Sequence, residues 1–117
     1  MKVGTEWIID AFDCQAEKLA EVSILSSIFD ELIAELDLKP AEPPFWKKFS
    51  PPGSGVSGLV LLTESHLACH TYPEHGIATF NLYCCNARPD WDWESKLKQK
   101  LAAKSVSIKV IERGSQK

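Results

Sequence analysis

The sequence has 117 residues and a hydrophobic fraction of 44%, which is typical of one globular domain with a modest core. Its net charge is −3 and its basic residues are mostly spread along the chain, so no surface suited to nucleic acid is predicted. No segment approaches the roughly 18 apolar residues of a membrane-spanning helix, and the start "MKVGTEWIID" differs from a signal peptide. These properties predict a cytoplasmic protein whose four cysteines are reduced thiols.

The first predicted elements are a strand and an amphipathic helix. Residues 4–12, "GTEWIIDAF", supply the bulky apolar side chains of a strand. Asp13 is a candidate cap for the helix that follows. Apolar residues then recur at spacings of three and four from Leu25 to Leu36, which predicts a helix of about four turns that ends before Pro40.

The remaining chain predicts mostly strands. A short "FWKKF" strand lies among loops rich in Pro and Gly, and "GVSGLVLLTE", "HLACHTY" and "GIATFNLYCC" read as longer strands. The turn "NARPDWDW" leads into a helix from about Trp93 to Ala103, and the alternating "SVSIKVIE" closes the sheet. The order, taken as β-α-β-β-β-α-β, predicts an α+β two-layer sandwich with helices on one face of an antiparallel-rich sheet. The other face needs a cover, for which a second protomer is a candidate.

Residues 61–76, "LLTESHLACHTYPEHG", concentrate reactive side chains around one serine. A serine hydroxyl is a poor nucleophile until a base or a suitable geometry activates it. In an extended strand, His66 and His70 both point away from Ser65, and only a turn would change that. The chain has no G-x-S-x-G elbow of an α/β-hydrolase. The histidine and cysteine spacings match no usual zinc pattern, so no metal is predicted.

Three motifs carry a specific family resemblance: "KFSPPGSGVSG", "ESHLACHTYPEHG" and "ATFNLYCC". With flanking segments from "GTEWIIDAFDC" to "VSIKVIERG", the sequence resembles the bacterial S-adenosylmethionine decarboxylase proenzyme, the small pyruvoyl-dependent form, over nearly its whole length. The resemblance implies one domain, residues 1–117, that cuts itself between Glu64 and Ser65. The products would be residues 1–64 and 65–117.

The resemblance also implies the chemistry of this cut. Ser65 would attack the Glu64 carbonyl and, after elimination and hydrolysis, become a covalent pyruvoyl cofactor. That cofactor would form a Schiff base with the substrate amine and accept the electron pair left by CO2. His70 and Ser57 match residues that assist processing, and Cys85 matches the acid that protonates the decarboxylated carbon.

Two further positions match substrate-binding residues of the family. Glu74 corresponds to the acid that hydrogen-bonds the substrate ribose, and Phe49 to an aromatic residue that stacks on adenine beside the sulfonium cation. The implied product is the aminopropyl donor for spermidine biosynthesis. The implied assembly is a homodimer of cleaved protomers that binds a small-molecule substrate.

The sequence departs from the family pattern in three places. The loop around residues 50–56 is longer than usual, Asn81 stands where Asp is usual, and "GTEWIID" replaces a basic, histidine-containing start. These departures concern the scaffold or substrate recognition, so a pyruvoyl-dependent decarboxylase of ornithine or arginine is an alternative. A non-catalytic regulatory homologue is another, but the intact Ser65, His70 and Cys85 argue against it.

Overall fold

The computed structural model describes residues 3–114, whose strands form one antiparallel sheet. The strands are β1 (Gly4–Phe12), β2 (Phe45–Lys48), β3 (Val56–Leu62), β4 (Ser65–Tyr72), β5 (Ile77–Cys84) and β6 (Ser105–Arg113), in the sheet order β2-β3-β4-β5-β1-β6. The helices are α1 (Ala16–Leu19), α2 (Val22–Glu35) and α3 (Trp93–Leu101), and a 3-10 turn, Pro73–His75, joins β4 to β5. The ends of the predicted domain, residues 1–2 and 115–117, lie outside the described residues.

The helices cover one face of the sheet because alternate strand residues and one stripe of each long helix are apolar. Trp7 and Ile9 of β1 are buried on this face. The Phe29 ring of α2 lies 6.5 Å from Phe80 of β5, and Phe80 lies 5.8 Å from Trp93 of α3. This core confirms the predicted α+β two-layer sandwich. No helix among residues 3–114 is long and apolar enough to cross a bilayer.

The element order differs from the prediction in two details. Four strands, not three, lie between α2 and α3, because the short β2 pairs with β3 and joins the sheet. Its Trp46 ring packs over Gly58, where an added Cβ would lie 2.3 Å from the ring. The prediction that Asp13 caps a helix is wrong: Asp13 has a φ of 56°, and Gln15 is the N-cap of the unpredicted helix α1.

The face of the sheet opposite the helices, here called the open face, is covered by no element among residues 3–114. Its exposed apolar side chains include Phe45, Leu59, Leu61 and Tyr72, which are 66%, 50%, 56% and 42% exposed. An antiparallel sheet tolerates solvent on one face when that face is polar. Because this face is partly apolar, it is suited to bury a second surface.

Candidate active site

Ser65 begins β4 directly after the two-residue connection Thr63–Glu64. Leu62 of β3 pairs with Ser65, and so does Cys84 of β5. The Thr63 N–H donates to the carbonyl oxygen of Lys39 at 2.9 Å, which anchors the connection from one side. The Glu64–Ser65 peptide bond therefore lies in a tight hairpin at the end of the sheet, and Glu64 is exposed there.

Two adjacent cysteines reach this hairpin from the end of β5. The Cys85 N–H donates to the carbonyl oxygen of Glu64 at 3.3 Å, and the Cys85 thiol is exposed. Cys84 is buried and hydrogen-bonds the Ser65 side chain; burial raises the pKa of its thiol, and the bond with Ser65 lowers it to a smaller extent. The sequence pattern missed the contact between Ser65 and Cys84, because alternation does not give the register of β4 against β5.

A small cavity of about 20 Å³ adjoins the hairpin. Its lining residues are Leu38, Lys39, Thr63, Glu64, Ser65, Cys84, Cys85, Asn86 and Arg88. The side-chain amide of Asn86 donates to the Glu64 carboxylate, which holds that side chain in place. A polar cavity of this size has room for about one water molecule.

A larger groove of about 420 Å³ lies at the other end of β3 and β4. It is lined by Phe49, Gly53, Gly55, Ser57, His70, Thr71, Tyr72 and Glu74. The structure thus brings together the four residues that the resemblance assigned to assistance in processing and to substrate binding. Ser57 Oγ lies 2.7 Å from His70 Nδ1, because the β3–β4 register pairs the two residues.

The loop that carries Phe49 is closed by backbone hydrogen bonds. The Phe49 N–H donates to the Gly55 carbonyl oxygen at 2.8 Å. Gly55 packs so tightly that an added Cβ would lie 2.4 Å from the carbonyl oxygen of Thr71. The Thr71 hydroxyl accepts from the Val56 N–H at 2.9 Å, which fixes the start of β3. These contacts hold the longer 50–56 loop against the groove.

The hairpin and the groove are separate within one chain. Ser65 and His70 lie five residues apart on the extended strand β4, a separation of about 16 Å. Their side chains point to opposite faces, since residues an odd number apart on a strand alternate. The question that the sequence left open is therefore answered: no turn brings His70 to Ser65 of the same chain.

The comparisons with known proteins agree with this architecture. The chain matches the model of the family described as S-adenosylmethionine decarboxylase over residues 5–114. S-adenosylmethionine decarboxylase proenzyme 2 of Halalkalibacterium halodurans is 31% identical over 113 residues, which cover 96% of this chain and 87% of that protein. The S-adenosylmethionine decarboxylase proenzyme of Pyrococcus furiosus is also 31% identical, over 96% of this chain and 79% of that protein.

A solved structure extends the likeness to three dimensions. The adenosylmethionine decarboxylase of Aquifex aeolicus superposes with a TM-score of 0.78 at 26% identity, covering 99% of this chain and 94% of that chain. The fold and the sequence therefore define a decarboxylase. More particularly, the chain belongs to the S-adenosylmethionine decarboxylase family, which confirms the resemblance.

Proposed function

We propose that this protein is a pyruvoyl-dependent decarboxylase of S-adenosylmethionine whose cofactor forms when the chain cuts itself between Glu64 and Ser65. The observation that carries the proposal is the meeting of Glu64, Ser65 and Cys85 at one hairpin, although β4 and β5 separate Glu64 from Cys85 in the sequence. The names of the relatives, which are proenzymes, support it. The product would be the aminopropyl donor for spermidine biosynthesis.

The cut uses the Ser65 hydroxyl and the Glu64 carbonyl. Ser65 Oγ adds to the carbonyl carbon, and the C–N bond breaks to give an ester and a free amine. The Cys85 N–H, already bonded to that carbonyl oxygen, stabilises the negative charge that develops on it. Loss of the Ser65 α-proton then breaks the Cβ–O bond and releases residues 1–64 as a carboxylate. The remaining dehydro residue takes up water and loses ammonia, which leaves a ketone at position 65.

The surroundings of Ser65 fit a pyruvoyl group. Residue 65 follows a turn, so it can become a chain end without interrupting β4. When present, the group supplies an electron sink for the pair left by CO2, which no ordinary side chain offers. The exposed Cys85 thiol at the same hairpin is the acid that we assign to protonation of the former α-carbon.

A second copy of the chain supplies the other half of the site in this proposal. The groove of one chain lies too far from its own Ser65, and the exposed apolar side chains of the open face need a cover. Packing two open faces together in opposite directions sets the groove of one copy over the hairpin of the other. His70, with Ser57, would then assist the cut across the interface.

The groove supports a nucleoside-containing cation as substrate. Its volume of about 420 Å³ is in the range of small-molecule sites. The Phe49 ring is 48% exposed and has the Lys47 ammonium 5.9 Å from its centroid, so this aromatic face accepts a cation. Glu74 on the rim is the acceptor that we assign to the ribose hydroxyls. We place the enzyme in the cytoplasm, where its four free cysteines would stay thiols.

Two measurements test the proposal. Denaturing mass spectrometry should find chains 1–64 and 65–117, the second without a free amino terminus, and Ser65→Ala should stay whole. A wild-type chain that is still whole after long incubation would favour the non-catalytic alternative. CO2 release should then be measured from S-adenosylmethionine, ornithine and arginine side by side. Faster release from either amino acid would reassign the substrate.

A further inference from the structure

Five side chains form a closed ring on the open face beside Ser65. Arg113 Nη1 donates to Glu6 Oε1 at 2.5 Å, and Asn81 Nδ2 donates to Glu6 Oε2 at 2.5 Å. His66 Nε2 lies 3.0 Å from Asn81 Oδ1. The Tyr83 ring closes the set, 5.7 Å from the His66 ring and 5.7 Å from the Arg113 guanidinium. This cross-strand ring links β6, β1, β5 and β4.

The Glu6 carboxylate sets the direction of every hydrogen bond in the cross-strand ring. An ionised carboxylate only accepts, so the amide NH2 of Asn81 faces Glu6 and its carbonyl oxygen faces His66. His66 Nε2 must therefore carry a proton and donate it. The hydrogen bond from Asn81 is the largest influence on the pKa of Glu6 and lowers it, while burial raises it and Arg113 lowers it further. The set of donors and acceptors thus has one consistent arrangement.

The cross-strand ring takes on a role once the chain is cut. His66 is the residue directly after position 65 in β4. In the uncut chain, Thr63 and Glu64 connect the start of β4 to β3. After the cut residue 65 is a chain end, and chain ends fray unless they are tied down. We propose that the cross-strand ring holds the new end of β4 in register after cleavage, with Glu6 and Asn81 as positioning residues that act through His66. This inference rests on the proposed cleavage at Glu64–Ser65.

Loss of the cross-strand ring should therefore lower the rate of turnover and leave chain cleavage nearly unchanged. The uncut precursor keeps its covalent connection, so the cut should depend little on the ring. A loosened chain end displaces the ketone from Cys85, and a misplacement of about 1 Å can cost about a hundredfold in rate. The groove residues that we assign to substrate binding lie elsewhere, so kcat should fall while KM is retained.

Asn81→Asp is the sharpest variant, because it keeps the size of the side chain and replaces the donor that faces Glu6 with a second carboxylate. It should be fully cut by mass spectrometry, with kcat reduced about tenfold to a hundredfold. Amides of residues 66–69 should exchange hydrogen faster in the cut protein. In the uncut Ser65→Ala background the same substitution should leave that exchange nearly unchanged. Adding Glu6→Gln supplies a donor toward the carboxylate at position 81 and should restore most of kcat and protection.

Controls separate this role from a general scaffold. Lys109→Gln, on the same face of β6 but outside the ring, should change none of these quantities. His66→Gln keeps a donor near the position of Nε2 and should lose less than His66→Leu, a comparison that stands if Asn81→Asp folds poorly. Equal losses in the cut and in kcat, faster exchange in the uncut protein as well, or no gain from Glu6→Gln would each overturn the proposal. An uncut wild-type chain would instead refute the proposed function, so the two failures are distinguished.

Discussion

The hairpin at Glu64–Ser65 and the groove at His70 are two ends of the same pair of strands, built for different tasks. The hairpin has a cavity of about 20 Å³, and its backbone and side-chain hydrogen bonds are made to other parts of the same chain. The groove has about 420 Å³ and offers an aromatic face, an acid and a Ser–His pair to something that enters from outside. In the proposed function, the chain is cut at the hairpin, and the groove supplies the residues that assist the cut and bind the substrate. One chain would then hold two unlike half-sites.

The largest expected effect tests whether the half-sites belong to different copies. Ser65→Ala and His70→Ala should each abolish the cut when expressed alone. When the two are co-expressed, a mixed dimer has one intact composite site, so the His70→Ala chain should be cut while the Ser65→Ala chain stays whole. Mass spectrometry of the purified mixture measures this. Cutting of His70→Ala when expressed alone would show that the groove is not needed for the cut.

The second prediction separates two functions of Cys85 within the hairpin. Cys85→Ala keeps the backbone N–H that bonds the Glu64 carbonyl and removes only the thiol. The cut should therefore proceed, while decarboxylation should fall by about 10²–10⁴, the usual contribution of a general acid. Single-turnover CO2 release and mass spectrometry of the same sample measure both. The matched control Cys69→Ala removes a buried thiol whose pKa burial raises to about 12, and it should affect stability, not proton transfer.

A smaller effect is expected from the groove alone. Glu74→Gln keeps the shape of the side chain and removes the charge of the proposed ribose acceptor. Loss of a charged hydrogen bond should raise KM by at least about tenfold, with the cut unchanged because the hairpin is intact. Steady-state kinetics with S-adenosylmethionine measure it. An unchanged KM would remove Glu74 from the substrate site.

Helices and strands were predicted well from the sequence where their apolar residues recur with a clear period. Contacts that depend on the register between strands were missed. The bounds of β1 were predicted as observed because Trp7 and Ile9 alternate with half-buried residues. The motif that holds Ser65 and His70 was recognised, but in the folded strand these two residues lie about 16 Å apart. A local sequence pattern does not show how far apart two residues of one motif lie when the segment between them is extended.

Long-range pairing connects two of the departures from the family pattern. Asn81 and the start "GTEWIID" lie far apart in sequence, yet β1 pairs with β5 and Asn81 donates to Glu6 of that start. In the sequence, each departure concerned only the scaffold or substrate recognition. Together they form a bonded pair, which only the cross-strand register reveals.

The smallest expected effect concerns Glu6, which borders the hairpin and not the groove. Its pKa in the folded protein is lowered from 4.5, chiefly by the hydrogen bond from Asn81, so the ionised form stabilises the fold. That stability is present above about pH 4.5, the unfolded value, and is lost as the pH falls through the lowered folded pKa. The free energy of unfolding of wild type should exceed that of Glu6→Gln by about 1 kcal/mol near neutral pH, with the difference vanishing in acid. Urea titrations across this range measure it. A difference that persists in acid would mean that the substitution disturbs packing, and that the charge of Glu6 contributes nothing to holding β1 against β5.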